Sequence, residues 1–435
     1  MKKYFANLII VLLMLGFVCF QPNSAFAVDK VEISIYYERI DQVIDLNKTD
    51  INSINVEDGY YIKYSKTDGY AYKMKRTKVS SEKELLNAMG AKSEKDLKYG
   101  QQCVFEAFKA ATSDSLKSRA GASYLPSVEL DLYDTSYDGT GSSNGYKTGP
   151  SGNDAITTPN IRKDFWPCST SDKKRIAVSD VRFKYMADQN PSGKDSAYTT
   201  VFHEYGHFMD QTTMEKGAYG LDKTHYMNEI TKPRAAFMEG WAEYNEMIEN
   251  ESIAEMYIKQ TKSLCKESTT EAGKYSNIDP NNASYEDLIS AESFNAYFLY
   301  LLSKEIGQDK ITSAFVNSRS NYERDIRDFI KRLISENPDS TKAILKIVDQ
   351  VFLGKASEED ISGLVSDEEA ANKYLDYRKK SRLMKLWEDY LEKFNSSKKS
   401  NGSTSGVTVN ADNELEKDTS KDIKVEGESS NPFAE

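Results

Sequence analysis

The chain has few cysteines, histidines and prolines: 4, 3 and 10 among its 435 residues. Four cysteines cannot form the dense disulfide framework of a small stapled domain, so the fold must depend on a hydrophobic core. Basic residues are also in deficit, since 57 Lys and Arg face 68 Asp and Glu. The resulting net charge of −11 argues against nucleic acid as a partner.

Long apolar runs are absent after the first 20 residues. The N-terminus itself combines two lysines with an apolar stretch from Leu8 to Phe20 and small residues at Ala25 and Ala27. This pattern predicts a secretory signal peptide over residues 1–27, and a retained signal anchor is the alternative. The apolar stretch is shorter than the ~20 residues that a membrane-spanning helix needs. We therefore expect a secreted, extracellular chain with no membrane span.

Removal of the predicted signal peptide would take one of the four cysteines with it. Cys103, Cys168 and Cys265 would remain. An odd number of cysteines allows at most one internal disulfide within the chain. The remaining length, roughly 400 residues, is enough for two domains with substantial cores.

Composition and periodicity divide the rest of the chain into three segments. Residues 28–125 alternate at period two around a hairpin signal, Asp68-Gly69, and then turn helical, which predicts a small N-terminal α+β domain. Residues 126–395 begin with a loop and a strand and continue with helical periodicity, which predicts a second domain with a helical C-terminal half. Residues 396–435 are rich in polar and charged residues, which predicts a disordered acidic tail.

Two of the three histidines form an HExxH motif, HEYGH at residues 203–207. Histidines four residues apart share one face of a helix and can supply two ligands to a metal ion. Zinc at a catalytic centre typically takes three protein ligands and a water. We therefore predict His203 and His207 as zinc ligands and Glu204 as the general base that takes a proton from water. The alternative is a solvated helix with two surface histidines.

A third ligand is expected on a second helix. The segment EGWAEY at residues 239–244 carries Glu239 and Glu243, whose four-residue spacing lets both face the site. We predict that Glu239 binds zinc and that Glu243 accepts a hydrogen bond from a ligand histidine. The reverse assignment stays open, and so does a charged surface pair. His225 could also be a ligand, with a structural role as the alternative.

HEYGH followed by EGWAEY resembles the gluzincin metallopeptidases, in which a glutamate helix follows the HExxH helix. Within that group, the ExxAE pattern is similar to lethal-factor-type toxins and Pro-Pro endopeptidases. The resemblance covers about Ile176 to Met247. It implies an α+β fold with a zincin-like catalytic domain, here residues 126–395, in which a mixed sheet and its HExxH helix face a helical lower half across one catalytic Zn²⁺.

Those relatives place a catalytic tyrosine seven residues before the ligand glutamate, where this chain has Lys232. The donor that stabilises negative charge in the transition state is therefore open. Tyr226 is the first candidate, with His225, Tyr244 or a tyrosine further along the chain as alternatives. The strand before the HExxH helix, Val181–Met186, is expected to be either a sheet edge that pairs with an extended peptide substrate or an interior strand.

Together these residues predict a secreted zinc-dependent endopeptidase that hydrolyses peptide bonds of extracellular proteins with metal-activated water. The alternative is a secreted binding or adhesion protein with a structural or degenerate zinc site. Intact Glu204 favours the enzyme, because a structural site has no use for a base beside two ligands.

Overall fold

The computed structural model describes residues 32–65, 69–122, 127–135, 168–170, 175–180, 193–213, 226–267, 275–317 and 325–400. The chain forms two compact units, residues 1–375 and residues 376–435. The predicted signal peptide lies outside the described residues. In the part of the chain that is described, no helix combines the length and apolarity needed to cross a membrane.

The first unit contains a mixed six-stranded sheet in the order β2-β3-β1-β4-β6-β5. Its strands are β1 (Ile33–Asp45), β2 (Tyr60–Tyr64), β3 (Tyr70–Val79), β4 (Val128–Asp134), β5 (Cys168–Thr170) and β6 (Arg175–Ser179). β1, β4 and β6 run parallel, whereas the pairs β1–β3, β2–β3 and β5–β6 are antiparallel. The predicted α+β class is therefore confirmed.

β2 and β3 form the hairpin that the sequence predicts. Tyr64 pairs with Ala71, and Gly69 just before β3 has a φ of 106°. This left-handed backbone conformation suits glycine, which has no Cβ to clash. Asp68, the other half of the turn signal, lies outside the described residues.

β1 and β4 come from opposite sides of the domain boundary predicted at residue 125. They are nevertheless parallel neighbours, with Ile35 opposite Leu130 and Tyr37 opposite Leu132. Since the hydrogen bonds of one sheet cross the boundary, residues 28–125 do not form a sheet of their own. Parallel strands need a long crossover, and three helices lie between β3 and β4: α1 (Glu82–Met89), α2 (Tyr99–Thr112) and α3 (Asp114–Ala122).

Helices dominate the described residues from 193 onward, as predicted for the C-terminal half. In the first unit they are α4 (Gly193–Thr213), α5 (Pro233–Met247), α6 (Glu251–Gln260), α7 (Tyr285–Ile289), α8 (Glu292–Ile306), α9 (Gln308–Asn317), α10 (Ile326–Glu336), α11 (Thr341–Val351) and α12 (Glu358–Leu364). A short antiparallel hairpin of β7 (Leu264–Glu267) and β8 (Tyr275–Ile278) follows α6. α5 begins at Pro233, a residue suited to a first helical turn, and ends at Met247.

The last helix, α13 (Glu368–Ser400), begins in the first unit and ends in the second. It includes residues 396–400, at the start of the segment predicted as a disordered tail. Residues 401–435 lie outside the described residues.

α5 is enclosed by other helices of the first unit. It packs against α4, α6 and α8, and most of its residues are buried. Trp241 stacks on Phe315 of α9 with ring centroids 3.6 Å apart, and Phe237 contacts both Phe315 and Phe329. α2 contacts both α4 and β4. These contacts hold α4 and α5 against each other and against the sheet.

Candidate metal centre

Helix α4 presents the histidine pair. The Nε2 atoms of His203 and His207 are 3.1 Å apart. Their rings meet edge to face, with centroids 4.7 Å apart. Side chains four residues apart lie one turn above each other on a helix, so both Nε2 atoms reach the same place.

Glu239 on α5 completes a group of three potential ligand atoms. Its Oε2 lies 3.2 Å from Nε2 of His207 and 3.9 Å from Nε2 of His203. The side chains of Glu239, His203 and His207 are 19%, 9% and 15% exposed. The group is therefore sheltered by the protein but still reachable from solvent.

The three atoms have the spacing of a zinc site. Zinc binds nitrogen at ~2.0–2.1 Å and carboxylate oxygen at ~2.0–2.2 Å, so neighbouring ligand atoms of a tetrahedral ion are about 3.4 Å apart. The separations of 3.1, 3.2 and 3.9 Å lie around this value. A point about 2.0 Å from all three atoms exists between them. The residues present therefore fit a zinc ion held by two imidazoles and one carboxylate, a donor set of catalytic zinc sites.

Acidic neighbours control the protonation of His207. Burial by itself would lower the pKa of this imidazole, but the carboxylate of Glu239, with contributions from Glu204 and Asp210, raises its pKa to about 9. The metal-free protein therefore keeps a proton on His207 at neutral pH. A divalent cation would replace this proton as the positive charge among the carboxylates.

Two more carboxylates lie on the other side of His203, near its Nδ1. Glu243 Oε1 is 4.0 Å and Glu246 Oε1 is 3.9 Å from this nitrogen. Both glutamates are buried, and the hydroxyl of Tyr257 on α6 donates a hydrogen bond to Glu246. A histidine that binds a metal commonly directs its second ring nitrogen to a carboxylate, which fixes its tautomer.

Glu246 is a site residue that the sequence motifs did not identify. It lies two residues beyond the EGWAEY segment, so the motif does not include it. The signal that could have found it is the spacing of Glu239, Glu243 and Glu246 at i, i+4 and i+7, which places all three on one face of α5.

The positions of Glu239 and Glu243 separate the two ligand assignments. Glu239 faces the Nε2 atoms of both histidines, whereas Glu243 faces Nδ1 of His203. A second group of potential ligand atoms, from His203, Glu243 and Glu246, also lies within 4.8 Å. It contains a single imidazole, so only the group with Glu239 uses the HExxH pair.

The two helices that carry the site approach each other closely at Gly206. A Cβ atom there would lie 3.0 Å from Cα of Ala242 and 3.0 Å from Nδ2 of Asn245. The absence of a side chain thus lets the backbones of α4 and α5 come together. Gly206 immediately precedes His207, so this close approach of the helices lies next to the histidine pair.

Glu204 lies beside the ligand pair on α4. It is 5% exposed, and its charge adds to the effect of Glu239 in raising the pKa of the His207 imidazole. Its role as general base remains a prediction from the HExxH motif.

The candidates for the transition-state donor differ in how far their side chains are exposed to solvent. Tyr226 is 49% exposed, and its ring meets that of Tyr275 edge to face at 5.2 Å. Tyr244 is fully buried beside Trp241, and burial raises the pKa of its hydroxyl. His225 lies outside the described residues. An exposed phenol can reach a bound substrate and a buried one cannot, so Tyr226 remains the candidate.

The predicted strand Val181–Met186 also lies outside the described residues. The strand just before it, β6, is an interior strand between β4 and β5. Its last residue is Ser179, close to the break in alternation that the sequence shows at Ser179-Asp180. The pairing of a peptide substrate with residues 181–186 therefore stays a prediction.

Searches with the whole chain found no matching protein-family model, no matching curated protein and no matching solved structure.

Proposed function

We propose that this chain is a secreted zinc-dependent endopeptidase with a gluzincin-type, zincin-like catalytic domain. The observation that carries the proposal is the meeting of His203 Nε2, His207 Nε2 and Glu239 Oε2 around one position about 2.0 Å from each. Three protein ligands leave a coordination position open, as catalytic zinc sites do, whereas structural sites are closed by four. The signal pattern in residues 1–27 supports secretion.

The proposed reaction is hydrolysis of a peptide bond by water. Zinc, when bound, would supply a Lewis acid that lowers the pKa of water toward ~7. Glu204 accepts a proton from the attacking water and passes it to the nitrogen of the scissile amide. The C–N bond then breaks, and the products leave as a carboxylate and an amine.

Other residues of the chain orient this chemistry. Glu243 and Glu246 lie close to Nδ1 of His203 and favour the tautomer whose Nε2 has a lone pair for the metal. Tyr226 is the proposed donor to the oxygen on which negative charge develops, and its exposure leaves the hydroxyl accessible to a bound peptide.

The test is zinc content and peptidase activity of the purified protein beside Glu204→Gln. We expect one zinc per chain in both proteins and a loss of about 10²–10⁴-fold in cleavage of a peptide library by the variant, because it cannot accept the proton. Glu255→Gln is the matched control, since it makes the same change at an exposed position of α6 and should leave activity unchanged.

Two outcomes would decide against the proposal. Equal cleavage by Glu204→Gln and wild type would rule out the assigned base. One zinc per chain with no cleavage of any peptide would instead favour the alternative, a secreted binding or adhesion protein whose zinc site is structural or degenerate.

A further inference from the structure

Strand β2 is one edge of the six-stranded sheet, since it pairs with β3 alone among the described strands. Its five residues read Tyr-Tyr-Ile-Lys-Tyr, none of them is buried, and Tyr64 is 61% exposed. An edge strand presents a row of backbone N–H and C=O groups that can pair with a further strand. Natural edges are commonly protected by several charges or a proline, whereas β2 carries a single lysine and no proline.

The hydrogen bonds at the two ends of β2 show which of its residues direct their backbone groups outward. The carbonyl of Gly59 accepts from the N–H of Arg76, and the N–H of Ser65 donates to the carbonyl of Tyr70. Successive residues of a strand direct their backbone groups to opposite sides, so the odd-numbered residues of β2 also bond to β3. The residues whose backbone groups face the open edge are the even-numbered ones, Tyr60, Ile62 and Tyr64.

We propose that β2 pairs with β2 of a second copy of this chain, antiparallel and with the two Ile62 residues opposite each other on a two-fold axis. The N–H of each Ile62 then donates to the carbonyl of the partner's Ile62. The N–H of each Tyr64 donates to the carbonyl of the partner's Tyr60, whose own N–H is already bonded to Glu57. A two-fold axis of this kind, the commonest symmetry of soluble homodimers, joins the two six-stranded sheets into one.

The sequence of β2 selects this register among those that two-fold symmetry allows. Outward-facing residues must lie opposite outward-facing residues, so the register can change only in steps of two. The proposed register pairs all five residues of the strand, whereas a shift by two in either direction pairs only three. One of these shifts also places Lys63 opposite the partner's Lys63, and like charges directly opposite destabilise a strand pair.

The side chains of the proposed pair are complementary. Tyr60 lies opposite the partner's Tyr64 on one face of the sheet, and Lys63 lies opposite the partner's Tyr61 on the other. Aromatic pairs and contacts between an ammonium group and an aromatic ring stabilise neighbouring strands. Ile62 packs against the same residue of the partner. Since one strand supplies both members of every pair, a second copy fits this edge without any other sequence.

The pairing edge lies away from the candidate metal centre. α4, which carries His203 and His207, contacts β5 and β6 at the other end of the strand order. Pairing through β2 therefore leaves the histidine pair accessible, and zinc binding should be the same in monomer and dimer.

A single strand pair is a small interface. Standard stable interfaces use about 20–30 residues a side, far more than β2 supplies. The dimer should therefore be weak, with a Kd on the order of 1–100 µM.

Sedimentation velocity on the full chain, from about 1 to 200 µM, tests the proposal over this Kd range. Wild type should change from monomer to dimer. Ile62→Lys should weaken the dimer at least about tenfold, because it places like charges directly opposite each other on the axis. Leu386→Lys is the matched control, since it exchanges an exposed apolar residue of α13 for lysine and should dimerise like wild type.

Hydrogen exchange measured by NMR tests which backbone groups take part. The N–H groups of Ile62 and Tyr64 should exchange rapidly in dilute protein and slowly at concentrations where the dimer forms. The N–H groups of Tyr61 and Lys63 are the internal control, because they face β3 and should be protected at every concentration.

Cross-linking by mild oxidation tests the register. In the proposed pair the Cα atoms of the two Ile62 residues are about 5.5 Å apart, within the range that a disulfide spans, so Ile62→Cys should give a covalent dimer. Tyr64→Cys should not, because the two positions would be more than about 13 Å apart along the strands. Wild type under the same oxidation is the baseline.

The proposal is overturned if wild type stays monomeric at every concentration, if Ile62→Lys dimerises like wild type, or if Tyr64→Cys forms the cross-link and Ile62→Cys does not. Slow exchange of the Ile62 and Tyr64 N–H groups in the monomer would also overturn it, since another segment of the same chain would then cover the edge. A dimer that is lost in Leu386→Lys and kept in Ile62→Lys would overturn it in favour of a contact through α13.

Discussion

Nε2 of His203 faces the proposed metal position, and Nδ1 of the same ring faces two carboxylates. An imidazole Nδ1 carries a single proton, so it can donate one strong hydrogen bond, to Glu243 or to Glu246. The second carboxylate adds negative charge near the site, and the hydroxyl of Tyr257 donates to Glu246 and holds it in place. α6 is thereby connected to a proposed zinc ligand on α4 through one glutamate of α5.

Glu246→Gln should weaken zinc binding by about 10- to 100-fold, because substitution of the carboxylates behind a metal-binding histidine has effects of this size. The side chain keeps its shape, so the free energy of unfolding of the metal-free protein should change little by comparison. Zinc affinity is measured by competition with a chromogenic chelator.

The control for this substitution is again Glu255→Gln, exposed on α6. Tyr257→Phe should show a smaller effect in the same direction, since it removes only the donor to Glu246. Unchanged zinc affinity in Glu246→Gln would mean that Glu243 alone orients His203.

Zinc affinity should depend on pH through His207. Since neighbouring carboxylates, chiefly Glu239, raise the pKa of this imidazole to about 9, zinc must displace a proton at any pH below that value. We expect the apparent affinity to rise about tenfold per pH unit toward pH 9 and then to level off, for release of one proton. Calorimetry in buffers of different ionisation enthalpy measures the proton released.

Glu239→Gln is the informative comparison for this pH dependence. Without the carboxylate that raises it, the pKa of His207 should fall, so the variant should release less proton at pH 8 than wild type. Overall zinc affinity should also drop, because a proposed ligand is lost. Equal proton release by the two proteins at pH 8 would contradict the assignment of Glu239 as the main neighbour of His207.

At the scale of helices, the site depends on two close contacts of α5. Gly206 of α4 meets α5 at Ala242, and Gly240 of α5 meets α8, where a Cβ would lie 2.6 Å from Cβ of Asn295. Glycine has a poor helix propensity, so its presence inside both helices is explained by packing and not by local preference.

Gly206→Ala should separate the helices and thereby disturb the metal site. The added Cβ would lie 3.0 Å from Cα of Ala242, so the two backbones must move apart by a few tenths of an ångström. We expect a loss of about 1–3 kcal/mol in the free energy of unfolding, as for other overpacked sites. Zinc affinity should fall at least tenfold as well, since the imidazoles move relative to Glu239.

Gly363→Ala is the matched control for this helix substitution. Gly363 lies in α12 and has open space where the added methyl group would stand, so the same change should be neutral or stabilising by up to about 1 kcal/mol. Chemical denaturation and chelator competition on both variants separate the two effects. Full zinc affinity in Gly206→Ala would show that the crossing does not set the ligand spacing.

Arg119 joins three helices behind the site. From α3 its guanidinium donates to the backbone oxygen and the side chain of Asn245 on α5 and pairs with Glu249. It also lies over the ring of Phe202 on α4, 4.6 Å from the ring centroid. These contacts of the buried guanidinium hold α3 against α4 and α5, the two helices that carry the proposed ligands.

Across the whole first unit, ion pairs connect strands from both sides of residue 125. Arg76 on β3 pairs with Glu38 on β1 at 2.9 Å and with Asp131 on β4 at 3.1 Å. Arg175 on β6 pairs with the same two carboxylates. Glu38 and Asp131 are fully buried. Loss of β3 or β6, which carry the two arginines, would therefore leave these buried charges with fewer partners.

A chain that starts at residue 126 should therefore not fold. It would lack β1, the parallel neighbour of β4, and α2, which packs on α4. We expect no cooperative thermal transition and no stoichiometric zinc binding, measured by circular dichroism and zinc analysis. A chain that starts at Val28 is the control. Cooperative unfolding of the shorter chain would show that it folds without residues 28–125.

Several elements were predictable because their signals are local. The histidine pair lies on one helix face as its spacing predicts, the β2–β3 hairpin forms around Gly69, and α5 begins at Pro233. The pairing of β1 with β4 across residue 125 was not predictable, because a change from strands to helices along the chain looks the same whether the next strand joins the old sheet or begins a new one.

The chemistry that α4 and α5 can offer follows from the order of their amino acids alone, since the directions of side chains four residues apart are set by the pitch of a helix. Which carboxylate meets which nitrogen depends on packing: Glu239 faces the two Nε2 atoms, while Glu243 and Glu246 face Nδ1 of His203. The helices that carry these side chains meet at Gly206 and Ala242, and no local sequence pattern predicts such a contact between segments more than thirty residues apart.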